Sequence, residues 1–306
     1  MVEMKRYILP GLILAVAACG KAPEPAVSTE AAPAAEATMP EKTAAESRLA
    51  EVVAAQPAEV QARYAYRHPY ETLSFFGIEP GMTVVEGLPG GGWYSKILIQ
   101  YLGPDGHLIG VDYAQDMFPL FGFFSEEMLL QKETWVEDWT AGANAWYGDD
   151  GAKVSAFVFG SMPSEMAGTA DAALMIRAMH NLARFESDGA YLSKAVADLY
   201  NVLKPGGVLG VVQHMSPDDH PDESADGSRG YLKRDFVMKT LEAAGFRYEG
   251  YAAINENSRD VPGADDVVWR LPPSLATSRE DPELQEKMKA IGESNRMTLK
   301  FIKPAM

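Results

Sequence analysis

The stretch GMTVVEGLPGGGWYSKIL, Gly81 to Leu98, sets the strongest constraint on what this chain can become. A short apolar run enters three consecutive glycines and leaves as an amphipathic pattern, the mark of a strand that turns sharply into a helix. Glycines at such a bend let backbone amides approach a ligand that a Cβ would hold away, and the helix start adds partial positive charge.

The rest of the folded part repeats that grammar. MTVVEG, GWYSKILIQYL, HLIGVDY, KVSAFVFG, DAALMIRAM, a helix to Leu203, GGVLGVVQHM and a further helix alternate strand with helix, which predicts an α/β fold with a doubly wound, mostly parallel sheet. FRYEGYAAI and MTLKFIKP read as two more strands forming an antiparallel pair at one edge, which brings the sheet to seven. Ahead of the sheet, from about Ala45 to Gly77, the pattern is helical: Leu49, Val52 and Val53 share one face, Val60, Tyr64 and Tyr66 follow, and Pro57 and Pro69 punctuate it. Tyr113 to Gly151 reads as a long aromatic insertion. Its Phe118, Phe121, Phe123, Phe124, Trp135, Trp139 and Trp146 are expected mostly to pack and in part to wall a pocket. Asp218 to Gly230 reads as an exposed acidic loop.

The chain has 306 residues, 47% of them hydrophobic, enough for one large core. Lys and Arg total 27 against 43 Asp and Glu, and the net charge of −16 argues against a nucleic-acid partner or an anionic bilayer surface. Residues 1–18 place Lys5 and Arg6 before an apolar run that suits export but is too short to span a bilayer, and VAAC resembles a lipobox ending at Cys19. We therefore expect residues 1–18 to be a lipoprotein signal peptide, residues 19–46 an Ala/Pro/Glu-rich tether, and residues 47–306 the domain. The chain would be exported to the periplasmic side of a bacterial membrane, held there by lipid on Cys19. Cys19 is the only cysteine, which removes disulfides, thiol nucleophiles and thiolate zinc sites from the domain.

Two ligand classes suit the glycine bend: a dinucleotide, with GxGxxG readable at Gly90, Gly92 and Ser95, or S-adenosylmethionine. Glu86 closes the strand, and a carboxylate there would repel a pyrophosphate but not a sulfonium. Asp112 ends the next strand, where an acid can accept both ribose hydroxyls of either ligand.

GMTVVEGLPGGGWYSKIL, HLIGVDY, DAALMIRAMHNL and LKPGGVLGVV, in that order, resemble the class I S-adenosylmethionine-dependent methyltransferases. More narrowly, RHPYETLSFFGIEPGMTVVEGLPGGGWYSKIL, GYLKRDFVMKTLEAAGF and AIGESNRMTLKFIKP resemble a bacterial family of exported proteins described as predicted methyltransferases, across roughly Arg67 to Pro304. The resemblance implies S-adenosyl-L-methionine as cofactor, with Glu86, Gly90, Gly91, Gly92, Trp93, Asp112 and Ser161 as its contacts. Two positions depart from the pattern. Leu88 stands where the family has its first loop glycine, and Ser161, after Gly160, replaces the acid that receives the adenine amino group.

Methyl transfer needs an aligned nucleophile and, where that nucleophile carries a proton, a base. His180 with Asn181, His214 and His68 fall near ligand-facing strand ends and are the candidates for catalysis; His107, at the start of its strand, reads as structural. Arg177, Tyr231 and Arg296 are further polar candidates for substrate contact. HxxxH and HxH spacings are absent from the sequence, so no metal site is expected. The expected activity is methyl transfer to a small-molecule acceptor, with no protein partner indicated. The alternative is a binding or assembly module that keeps the fold, and an NAD-dependent oxidoreductase is opposed by Glu86.

Overall fold

The computed structural model describes residues 42–305; the expected signal peptide, Cys19 and the expected tether up to residue 41 lie outside the described residues. Thr43 Oγ1 accepts from Glu46 N while the Glu46 carboxylate accepts from Thr43 N, a reciprocal cap. It starts α1 (Ala44–Ala54) slightly ahead of the boundary expected at 47. The short α2 (Ala58–Gln61), α3 (Tyr64–Arg67) and α4 (Pro69–Phe76) complete the N-terminal helices. No helix among the described residues is long and apolar enough to cross a membrane.

The alternation then unfolds as expected: β1 (Thr83–Gly87), α5 (Trp93–Leu102), β2 (His107–Asp112), α6 (Glu126–Glu133), α7 (Trp135–Tyr147), β3 (Lys153–Val158) and β4 (Ala170–Ile176). After it come α8 (Met179–Arg184), α9 (Glu186–Gly189), α10 (Tyr191–Val202), β5 (Leu203–His214), α11 (Arg234–Ala243), β6 (Arg247–Tyr251), α12 (Pro282–Ile291) and β7 (Arg296–Ile302). The seven strands form one sheet in the order β3-β2-β1-β4-β5-β7-β6. The first five pair in parallel, and β7 runs antiparallel to both β5 and β6. This is the seven-stranded, mostly parallel arrangement with an antiparallel edge expected from the sequence. The antiparallel pair sits at the expected edge, with β7 as its inner member.

Period-two alternation divides the core between the two faces of the sheet. Val84, Leu108, Ala172 and Val212 pack with Leu49, Phe76, Leu98 and Trp139 of the helices on one side. Their neighbours Val85, Ile109, Ala173 and Val211 pack with Leu182, Leu199 and Leu241 on the other. Strands covered on both faces read as continuous apolar runs, which is why these were readable without alternation.

The aromatic stretch differs from a simple insertion. Its α7 is the crossover helix between β2 and β3, and Trp139 lies so close to the sheet that a Cβ on Gly110 would come within 2.6 Å of its ring. Trp135 stacks on Trp139 with ring centroids 5.6 Å apart. These indoles supply the apolar surface that a crossover helix would otherwise take from Leu and Ile.

Candidate functional site

The bend after β1 is open. Gly90 has φ +55°, and a Cβ at Gly90 or Gly91 would meet nothing within 4 Å. Both glycines border a cavity of about 660 Å³ at the C-terminal ends of β1, β2 and β4. That is where ligands sit in parallel α/β sheets. Gly92 provides no side-chain cap to α5, and a Cβ there would strike Trp146 at 2.5 Å.

Leu88 takes the turn where the methyltransferases that the sequence resembles have a glycine. Its φ is +58°, its N–H donates to Val111 O at 2.6 Å, and its side chain packs against the core on the α10 side. The left-handed backbone is retained at a cost of about 1 kcal/mol, so the loop's path is preserved while its first position carries a side chain.

Two carboxylates reach the cavity. Glu86 is buried and accepts from Ser95 Oγ at 2.6 Å; burial pushes its carboxyl up to about 7, with the Ser95 bond pulling the other way. Asp112 Oδ1 accepts from Tyr113 N at 2.9 Å, and Oδ2 from Lys132 Nζ at 2.9 Å. Lys132, from α6, is itself 4.8 Å from the Phe118 ring. Phe118, Phe124 and Trp135 form an aromatic wall of the same cavity, so part of the aromatic stretch does line a pocket.

The same cavity is bordered by an arginine cluster of which the sequence suggested only Arg177 and Arg296. Arg63 Nε and Nη2 donate to Glu293 Oε1 at 2.8 and 2.5 Å. Arg67 Nε lies 3.6 Å from the same oxygen, and Arg296 Nη2 and Arg177 Nη1 lie 3.4 and 3.9 Å from Oε2. Burial would raise the Glu293 carboxyl, but Arg296, Arg67, Arg177 and Arg63 outweigh it and hold it below the usual range. Arg67 is only 6% exposed; burial first, then repulsion from Arg177, brings it down to about 9 against the pull of Glu293. Its guanidinium lies 4.5 Å from the Trp93 ring centroid, so Trp93 both borders the cavity and carries the arginine. Arg63, Arg67 and Arg177 line the cavity, while Arg296 lies behind it, bonded to Tyr66 O and Ser294 O.

The histidines divide. His180 and His214 come together, rings 5.3 Å apart, in a side cavity of about 150 Å³ separated from the main one by Arg177 and Asn181, which line both. Gln213 Nε2 donates to His214 O and Gly230 O, so its Oε1 faces His180 Nδ1 at 3.4 Å. A carbonyl oxygen cannot donate, so the His180 proton sits on Nδ1 and Nε2 keeps its lone pair. Burial pushes His180 down to about 4, and burial followed by repulsion from His180 and Arg177 holds His214 well below its ordinary value. His214 Nδ1 pairs with Ser294 Oγ at 2.5 Å, and Asn181 Nδ2 donates to Tyr113 OH at 2.8 Å. His68 lies elsewhere, at φ 39° between α3 and α4, beside a third small cavity bordered by Arg296 and Glu293. Ser161 is exposed and does not border the main cavity. Tyr231 is buried against His214, ring centroids 6.4 Å apart, and His107 bonds Ser155 at the start of β2. Among the described residues, no three His, Cys, Asp or Glu stand together as a metal site.

The structure thus gathers Glu86, Gly90, Gly91, Trp93, Asp112 and Asn181 around one cavity and sets His180 and His214 just behind it. Sequence reasoning missed Arg63, Arg67, Glu293 and Lys132. Arg67 does open the stretch RHPYETL, and Glu293 lies within AIGESNRMTLKF, both of which carried the narrower resemblance.

No known family profile matches the chain. A sterol 24-C-methyltransferase of Debaryomyces hansenii is 31% identical over 83 residues. That match covers 23% of this chain, and the chain spans only 22% of the yeast protein's length. Among solved structures, a SAM-dependent methyltransferase from Aquifex aeolicus is similar at TM-score 0.43 and 17% identity, over 84% of this chain and 98% of its own. An arsenic(III) S-adenosylmethionine methyltransferase from Chlamydomonas reinhardtii is similar at 0.41 and 13%, over 85% and 74%. The cyclase SpnF is similar at 0.45 and 16%, over 79% and 82%.

Proposed function

We propose that the protein transfers a methyl group from S-adenosylmethionine to a small-molecule acceptor. One observation carries this reading: the bare Gly90–Gly91 bend and the two strand-end carboxylates, Glu86 and Asp112, converge on a single cavity. The residues fit the group. Two glycines leave open space that a Cβ would occupy, an acid stands where ribose hydroxyls need an acceptor, and Glu86 can ionise beside a cationic ligand.

When bound, the cofactor supplies an electrophilic methyl on sulfur. The chain's own residues then have separate tasks. Gly90 and Gly91 give backbone access, Asp112 accepts hydroxyl hydrogens, and Trp93 with the Phe118 wall excludes water, while Gly92 faces Trp146 and not the cavity. Asn181, fixed by Tyr113, stands at the junction of the two cavities and positions the acceptor. His180, held neutral with Nε2 free, takes the part of proton acceptor, backed by His214; His68 acts only through the Arg296 layer. We further propose that the domain is an exported lipoprotein tethered through Cys19, a reading that rests on the N-terminal sequence.

A binding module without turnover is favoured by one observation, the exposure of Ser161 away from the cavity, which withdraws an expected adenine contact. Calorimetric titration with S-adenosylmethionine, S-adenosylhomocysteine and NAD tests these readings. Heat from the sulfur ligands at micromolar to millimolar concentration supports the first, and silence from both at millimolar overturns it. Binding without methyl loss to any acceptor pool favours the module.

A further inference from the structure

The arginine wall has more charge than its partner can neutralise. Four guanidiniums share one carboxylate, and Arg63 already takes Oε1 with two hydrogen bonds. Arg67 and Arg177 stand too far from Glu293 to hydrogen-bond it, and the buried Nε of each has no hydrogen-bond partner. Both side chains border the main cavity. The cavity's two acids are engaged elsewhere, Asp112 by Lys132 and Glu86 by Ser95. Positive charge buried in this excess is unfavourable unless an anion completes it. Arg177 is moreover held at φ +63° at the end of β4, a strained backbone kept where it aims a guanidinium at both cavities.

We infer that the methyl acceptor is an anion whose carboxylate or phosphate group binds between Arg67 and Arg177 at the mouth of the side cavity. The inference rests on the methyl-transfer reading for the word acceptor; the anion site itself stands on the guanidinium geometry. The cofactor brings no net negative charge, because its sulfonium and ammonium outnumber its single carboxylate, so its binding leaves the excess positive charge of the cluster standing. An oxyanion can offset it, through paired N–H···O bonds to planar guanidiniums, Arg67 seated against Trp93 and Arg177 3.9 Å from Glu293. The acid group also explains a small acceptor's register: once it is seated on the arginines, the remainder of the molecule extends past Asn181 either toward the glycine bend or toward His180 and His214.

The test is calorimetric titration of the full-length protein with inorganic phosphate and, separately, with succinate, at constant ionic strength set by sodium chloride. At least one anion is expected to bind, phosphate more tightly for a phosphate-bearing acceptor and succinate for a carboxylate-bearing one. R177Q is expected to weaken that binding by about 10-fold or more, the scale of one charge-assisted hydrogen bond. R67K is expected to weaken it too, because a lysine cannot reproduce the fork. Circular dichroism of R177Q, whose side chain is partly exposed, checks that the fold is kept. Absence of binding by both anions to the wild-type protein, or unchanged affinity in R177Q, overturns the inference. A parallel titration with S-adenosylhomocysteine separates the two readings: no heat there defeats methyl transfer while the anion titration is judged on its own.

Discussion

The two walls of the main cavity are built in opposite ways. The glycine wall is local: Glu86, Gly90, Gly91 and Trp93 lie on one strand–turn–helix, and its openness is set by backbone alone. The arginine wall is assembled from a distance, with Arg63 and Glu293 paired across 230 residues and Arg177 arriving from β4. A local wall can accept a ligand without the rest of the site, whereas a distant one holds the fold together while it waits for a ligand. The first is therefore expected to respond to mutation in binding, and the second in stability as well.

The most severe way to break this contrast is Glu293→Gln. Leaving buried guanidiniums without their carboxylate should destabilise the protein by about 3–5 kcal/mol, read as a lower midpoint in urea unfolding. An unchanged midpoint would mean the arginine wall carries no structural weight.

Glu86 sharpens the contrast through pH. Its carboxyl titrates near 7 in the folded protein against 4.5 ordinarily. Below 4.5 both states hold the proton. As pH rises from 4.5 to 7 the unfolded chain ionises first, so stability falls across that window and levels off above 7. Glu86→Gln should abolish this decline and exceed wild type at pH 8 by roughly 3 kcal/mol. His180, pushed to about 4, contributes with the opposite sense, losing stability as pH falls from 6.5 toward 4; subtracting the two thermal-melt profiles cancels it.

Gly91→Leu puts a side chain into open space, so stability should hardly move while S-adenosylhomocysteine affinity falls by about 100-fold, near 3 kcal/mol. Loss of fold instead would deny that the bend is empty for a ligand. The mildest change is Asp112→Ala, expected to weaken the same affinity by about 1.5–2 kcal/mol, the scale of a lost charge-assisted hydrogen bond. Unchanged affinity in calorimetry would place the ribose elsewhere.

The same difference explains what could be read from the sequence. The sheet was legible because buried parallel strands are unbroken apolar runs, and the glycine wall because turn chemistry and strand-end acids are contiguous signals. Leu88 looked like a loss, yet it adopts the left-handed turn itself, a choice no residue pattern reveals. The aromatic stretch concealed a crossover helix, although Trp135, Trp139 and Trp146 already kept helical spacing. His180 and His214 did meet, but behind Arg177 rather than in the main cavity, and Ser161 turned outward, because side-chain direction past a strand end depends on neighbours far along the chain. The arginine cluster left no periodic trace at all: each member is an ordinary charged residue until β7 brings Glu293 beside Arg63.

That arrival has a topological meaning. β7 is the last strand in the chain and lies between β5 and β6, so Glu293, just ahead of it, ties the N-terminal helices to the C-terminal edge of the sheet through Arg63. The contact spans nearly the whole described domain in sequence, and closing it is a long-range step that local structure cannot anticipate.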